Sequence, residues 1–273
     1  MPNRTHRPTR SASRTALCVI LGSLSLVLAA CGGGGGGGGH DAAHDPVQQA
    51  RTLKQFGYPA GSGQYIYGYE SLPTIAIRNA PGDADMTRWG MTHDGDRYWL
   101  FVFRQGSANT LYPFLYDGSG YVYTGTSQQI TGTPSDADMS SFAVLYSNGS
   151  FALYVRRHGN PTVLYQFRAA SVLAPFAYGA LGAISNLSTT GAPADADFSR
   201  WTMYHDGSIY RQAVFQKGSE DTLYQFGWNG SSYAFSHASR DIVRIVNAPA
   251  ASFKRKAKIL HDGALFRLYQ LAP

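Results

Sequence analysis

Cysteine is nearly missing from these 273 residues: Cys18 and Cys31 are the two present, and both precede the glycine run that starts at Gly32. The chain from residue 51 onward therefore has no thiol, which excludes a cysteine nucleophile, a thiolate metal site and disulfide stapling. Stability there must come from an apolar core, and about 220 residues rich in Tyr, Phe, Leu and Val suffice for one domain. Charge is also scarce, at 15% of residues. Amphipathic helical patterns are absent, as are Gly-x-Ser-x-Gly and His-Glu-x-x-His motifs, and no carboxylate pair stands out.

Acidic residues are missing from the first forty positions, where Arg4, Arg7, Arg10 and Arg14 form a positive region ahead of an apolar stretch, Ala16 to Ala30. That stretch is too short for a comfortable membrane span and reads as an export signal over residues 1–30. Its end, Leu28-Ala29-Ala30-Cys31, resembles the lipobox of bacterial lipoproteins. The resemblance implies cleavage before Cys31, acylation of its thiol, and membrane attachment through that lipid. Gly32 after the Cys implies the outer membrane of a Gram-negative envelope. Gly32 to Gly39 is too costly in entropy to pack against a domain, so residues 31–50 read as a flexible tether, with a reach of roughly 20 Å. His40 and His44 in that tether are read as linker residues and not as metal ligands.

Of the 23 basic residues, four leave with the signal, so 19 remain against 17 acidic ones, a net charge of +2. The basic character of the whole chain is thus largely a property of its leader, and no nucleic-acid partner is expected. Lys254, Arg255, Lys256 and Lys258 form one remaining basic cluster, read as a solvated strand edge.

Residues 51–273 are built on repetition. Copies starting at Pro81, Pro134 and Pro193 align without a gap over more than thirty residues, 53 and 59 residues apart. The register superposes Trp89 with Phe142 and Trp201, Tyr98 with Phe151 and Tyr210, Gly106 with Gly159 and Gly218, and Tyr112 with Tyr165 and Tyr224. A fourth copy is split: Pro249 to Leu271 supplies its first half, with His261-Asp262-Gly263 falling on His205-Asp206-Gly207, and Thr52 to Tyr67 supplies its second. Each unit alternates with period two, and the Pro193 copy predicts strands at 200–204, 208–216, 222–228 and 232–237. The fold class expected is all-β: a four-bladed β-propeller of four-stranded antiparallel blades, closed by N- and C-terminal strands sharing one blade. A β-trefoil is the alternative, and it requires threefold repetition.

The Asp-Ala-Asp segments at Asp83, Asp136 and Asp195 give this arrangement a resemblance to the hemopexin-type propeller, which has four blades and an Asp-Ala near the start of each. The fourth unit departs from it with Ala251-Ser252-Phe253. Two uses of these carboxylates are open. Asp83, Asp85, Asp136, Asp138, Asp195 and Asp197 can face an axial channel and bind calcium; alternatively they cap turns where the chain starts each blade, the reading preferred here. His93, His205 and His261 are read as turn residues, their spacing around blade rims being too wide for one metal. Trp89 and Trp201 are candidate ligand-binding aromatics, with burial between blades as the competing use. Together these features lead to an expectation of a lipid-anchored surface protein, lectin-like or adhesin-like, without catalysis or cofactor. Its partners would be a glycan or an envelope protein. The alternatives are an envelope scaffold or assembly factor, and an enzyme with an unrecognised site.

Overall fold

The computed structural model describes residues 51–69, 74–182, 186–235, 242–248, 257–263 and 265–272. The signal, Cys31, the tether, the Ala251-Ser252-Phe253 segment, Lys254, Arg255 and Lys256 lie outside the described residues. All described residues belong to one unit, Pro46–Pro273.

The strands come in sets of five. β1 (Arg51–Gly57), β2 (Gln64–Tyr67) and β3 (Thr74–Arg78) lead the chain. β4 (Ala84–His93), β5 (Tyr98–Arg104), β6 (Thr110–Tyr116), β7 (Gly120–Tyr123) and β8 (Gln128–Thr131) form the first complete set. β9 (Ala137–Ser147), β10 (Ser150–Arg157), β11 (Asn160–Ala169), β12 (Phe176–Tyr178) and β13 (Leu187–Thr190) follow. β14 (Ala196–His205), β15 (Tyr210–Gln216), β16 (Thr222–Trp228), β17 (Ser232–Ala234) and β18 (Ile242–Val246) come next, and β19 (Ala257–His261) and β20 (Phe266–Ala272) end the chain.

In the first blade β4, β5, β6 and β7 pair in succession, all antiparallel, and β8 takes the free length of β6 beside β7. The second and third blades repeat this pattern. The fourth is assembled from both ends of the chain. β19 pairs with β20, β20 with β1, and β1 with β2 and β3, the β1–β20 register running from Thr52 opposite Ala272 to Gly57 opposite Arg267. The ring of four blades closed by shared terminal strands is thus present, and the trefoil is excluded. Inner strands β4, β9, β14 and β19 contact one another around the axis.

Each blade has one strand more than expected. β3, β8, β13 and β18 leave the third strand of their own blade and pair in parallel with β7, β12, β17 and β2 of the next, forming an outer belt. The fifth strand was missed because the repeat boundary was drawn at residue 237, yet Ile242–Val246 shows the expected alternation, with Val243 and Ile245 buried and Ile242 and Arg244 exposed. The belt removes the bare outer edges that four-stranded blades would expose.

Middle strands such as Tyr98–Arg104 are apolar on both faces because a neighbouring blade covers each face. Four buried clusters fill the four gaps between blades. Trp89 and Trp201 are 3% and 1% exposed and belong to two of these clusters, so neither is presented to a ligand. Their expected role as binding aromatics is corrected to interblade packing.

Deleting residues 265–273 removes the partner of β1 and opens two sheet edges. The expected outcome is loss of a single cooperative melting transition in circular dichroism, whereas deleting Gly32 to Gly39 leaves the transition unchanged.

Candidate functional site

Among the described residues, polar side chains gather at the two ends of the axis and in the gap between the second and third blades, among other places. At the start of each inner strand, the first Asp of Asp-Ala-Asp ties three strands to one another. Asp83 accepts from Tyr112 Oη at 2.9 Å and Arg104 Nε at 2.8 Å. Asp136 accepts from Tyr165 and Arg157, both at 2.7 Å. Asp195 accepts from Tyr224 at 3.0 Å and Gln216 Nε2 at 2.8 Å. The second Asp of each motif caps the following turn: Asp85, Asp138 and Asp197 accept the backbone N–H of Thr87, Ser140 and Ser199 at 3.0–3.1 Å. Asp85 and Asp197 also pair with Arg88 and Arg200, at 2.7 Å in both cases. The carboxylates are therefore distributed among separate turns, and no group of three or more metal-ligating side chains exists among the described residues. The Tyr layer seen in the repeats is the other half of this contact. The fourth copy loses both halves at once, with Ala251 at the Asp position and Lys54 at the Tyr position.

On the axis itself, the expectation of a solvated Lys258 is corrected. The side chain is 2% exposed, and its ammonium donates to the carbonyl oxygens of Phe142 at 2.6 Å and Trp201 at 3.1 Å. The aligned residues of the other inner strands are Gly90, Ala143 and Thr202, small enough to leave room for one long side chain. At the far end of the axis, His93, Tyr146, His205 and His261 line one cavity of about 30 Å³ with residues of all four inner strands. The histidines thus converge more closely than rim spacing implied. Each is held as a packing group, its ring 4.3–4.7 Å from that of Tyr98, Tyr210 or Phe266. Burial pushes the His261 imidazole down from its ordinary pKa, which disfavours a charge there.

The hairpin after each histidine carries an Asp in three blades. Asp94 accepts from Trp99 Nε1 at 2.7 Å, Asp206 from Arg211 Nε, and Asp262 pairs with Arg267 at 3.4 Å. Trp99, Arg211 and Arg267 are aligned residues, each near the start of its blade's second strand, and each fills the upper part of a gap between blades. The second blade differs at both positions, with Ser147 for the Asp and Ala152 for the large side chain. Its outward row on β10 reads Ala152, Tyr154, Arg156 where the first blade has Trp99, Phe101 and Phe103.

A cavity of about 190 Å³ opens at this one altered gap, between the second and third blades. Tyr210, Trp228 and Tyr233 of the third blade form one wall, and Trp228 and Tyr233 lie 5.1 Å apart between ring centroids. Tyr154, Gln166 and Arg168 of the second blade form the other, with Ser147 and Asn148 at the mouth. Gln166 Nε2 donates to Tyr154 Oη at 2.6 Å, leaving the phenol proton for a further acceptor. Burial pushes the Tyr154 phenol up to about 12, so it is a neutral hydrogen-bond donor at physiological pH. Tyr210 Oη bonds to Ser147 Oγ across the gap. Lower in the same gap, Arg156 is 2% exposed, lies over the rings of Phe198 and Trp201 at 4.3 and 4.5 Å, and donates to the Pro161 carbonyl. Burial pushes its guanidinium well below its ordinary pKa, against a partial offset from Asp138.

No protein-family model matches the chain, and no curated protein matches it. Solved structures do. An exo-β-1,3-galactanase from Phanerochaete chrysosporium is 12% identical, with 61% of this chain and 38% of that one covered at a TM-score of 0.35. A GH43 protein from Bacillus licheniformis is 13% identical, with 63% and 33% covered at 0.34. A family 117 glycoside hydrolase from Zobellia galactanivorans is 12% identical, with 74% and 65% covered at 0.37. The chain spans between a third and two thirds of the length of these structures. The expectation of a lectin-like or adhesin-like module without catalysis is corrected by these matches, which are with a galactanase, a GH43 protein and a glycoside hydrolase. The propeller assignment stands on this chain's own strand pairings, and no residue correspondence is drawn from the superpositions.

None of the pocket residues was singled out from sequence. The signal is nonetheless present, among the departures of the second copy from the first and third, at Ser147 and Ala152.

The Asp206 turn generates a test by pH. Burial by itself raises this carboxyl, but the N–H groups of Ile209 and Ser208, the Ser208 hydroxyl and Arg211 outweigh it and hold the pKa at about 2. A lowered folded-state pKa means that the stabilisation is present above the ordinary carboxylate range and is lost as pH falls toward about 2. Asp206→Asn should cost about 1.5–3 kcal/mol at neutral pH. The difference in melting temperature from the native protein should close steadily as pH falls below the ordinary range.

Proposed function

We propose that this chain works on carbohydrate and holds a single saccharide unit in the cavity between the second and third blades. The observation that carries the reading is the composition of that cavity. Three tyrosines and a tryptophan offer faces and hydroxyls, and Asn148, Gln166 and Arg168 offer planar hydrogen-bonding groups. Sugars present apolar C–H faces and a rim of hydroxyls, and this mixture satisfies both. At about 190 Å³ the cavity falls below the roughly 300–1,000 Å³ of sites for drug-sized ligands, which fits one ring and not an oligosaccharide. Among the described residues, Trp99, Arg211 and Arg267 stand in the other blades where this one has Ala152, so the recognition sought is that of one specialised pocket.

We propose further that the domain sits at the cell envelope, carried by a lipid on Cys31 and spaced from the membrane by the glycine run. The lipobox-like Leu28-Ala29-Ala30-Cys31 supports this. Cys31→Ser should abolish fatty-acid labelling and leave unprocessed precursor, read by metabolic labelling and mass on a gel.

The direct test is titration with monosaccharides and glycosides by NMR or calorimetry, with release of reducing ends measured in parallel. Trp228→Ala should weaken binding about tenfold, the effect of losing one aromatic contact near 1.4 kcal/mol. Melting should fall as well, because Trp228 packs against the core between the second and third blades, so binding is compared where both proteins are fully folded. Pocket-dependent release of reducing ends makes the site catalytic. Unaltered binding by Trp228→Ala rejects this pocket.

A further inference from the structure

Eight described arginines stand within 4.0 Å of a carboxylate: Arg78, Arg88, Arg104, Arg157, Arg200, Arg211, Arg244 and Arg267. Arg97 has no such partner and is exposed to water. Among the arginines whose side chains are described, Arg156 and Arg168 are neither exposed nor within 4.0 Å of a carboxylate, and both belong to the second blade. Arg156 is buried under aromatic rings, whereas Arg168 lines the cavity.

The position of Arg168 follows from the two departures already described. In the third and fourth blades the guanidinium comes from the second strand, at Arg211 and Arg267, and the hairpin Asp faces it. In the second blade that residue is Ala152, and the guanidinium comes instead from the adjacent strand, from Arg168, which is directly opposite Ala152 in the β10–β11 register. The charge is kept at the interface while its carboxylate is replaced by Ser147. Arg168 Nη1 donates to Ser150 Oγ at 2.9 Å, and Ser150 Oγ donates to the Ser147 carbonyl at 3.2 Å, fixing the guanidinium beneath the hairpin. Its Nε is buried without any hydrogen-bond partner. No Asp or Glu lines the cavity.

The hairpin explains how the Asp was dispensable here. In the first blade Asp94 Oδ1 caps the turn by accepting the N–H of Asp96 and Arg97. In the second blade Asn148 and Gly149 both have positive φ, 51° and 73°, and form the two-residue Asn-Gly turn that needs no carboxylate cap.

We infer that the cavity takes an acidic saccharide, whose carboxylate pairs with Arg168 in the place that the hairpin Asp occupies in the other three blades. This inference rests on the saccharide reading above and adds the charge of the ligand to it. A guanidinium that lines a partly desolvated cavity with no carboxylate in its wall favours a planar carboxylate through charge-assisted hydrogen bonds. A neutral sugar in the same cavity leaves that group unsatisfied, and sites built for a polar partner discriminate strongly against ligands that lack it.

The experiment titrates the full-length protein with glucuronate, galacturonate and N-acetylneuraminate, each against its methyl ester, and with benzoate as a carboxylate without a sugar. Ser147→Asp is the informative variant, since three blades tolerate Asp at this position and the substitution supplies Arg168 with an internal carboxylate. The expected result is that at least one acid binds ten times or more tightly than its ester, and that Ser147→Asp removes this preference. Arg168→Gln should remove the same preference. Equal binding of acids and esters overturns the inference and keeps the saccharide reading. Preference for benzoate with no sugar bound keeps a carboxylate site and overturns the saccharide reading. Absence of binding by every acid and ester overturns both.

Discussion

Everything in this molecule depends on the pairing of its two ends. A ring of blades can bury all its interblade faces only if no gap is left, and the β1–β20 register from Thr52 to Gly57 closes the last one. Once the ring is closed, every middle strand has a neighbour on both faces, which is why sequences such as Trp99-Leu100-Phe101-Val102-Phe103 are apolar without alternation. The parallel belt of outer strands then joins each blade to the next at the circumference, so adjacent blades are coupled at the axis, across their faces and along the rim.

With the scaffold made equivalent by repetition, function is expected where equivalence fails. The second blade fails it at Ser147 and Ala152. Loss of a carboxylate at Ser147 and of bulk at Ala152 removes contacts that the other three blades retain; the Asn148-Gly149 turn makes up for the lost cap, but the Arg168 guanidinium is left without a carboxylate within 4.0 Å. A position that breaks a local rule without compensation within the fold is the kind of place where a ligand completes the structure. Tyr154, Gln166 and Arg168 are arranged around that absence, held by one another and by Ser150.

Much of the architecture was legible in the residues, because the split fourth copy has one simple explanation, a closed ring. Alternation of Val243 and Ile245 carried the fifth strand as well, but a search for agreement between copies stops where the copies stop agreeing. The same bias hides the pocket: alignment draws attention to Trp89, Trp201 and the Asp-Ala-Asp carboxylates, which recur because they do the same structural work in more than one blade. Lys258 was misread for a different reason. A lysine in a short strand ordinarily faces water, and its burial is visible only when the aligned Gly90, Ala143 and Thr202 are placed around a common axis with it.

That axis also bears on how such a protein can diverge. The four repeats look exchangeable in outline, and a history of duplication would suggest that one blade can substitute for another. Lys258 shows that they are not. Its ammonium uses space left by three small residues and reaches carbonyls of Phe142 and Trp201 in two other blades, while any side chain at Gly90 would place its Cβ 2.8 Å from the Phe142 ring. A second copy of the fourth repeat, inserted anywhere in the ring, would set two ammonium groups against each other at the centre. The blades share a fold and have ceased to be modular: the single lysine has given each of them a fixed address in the circle.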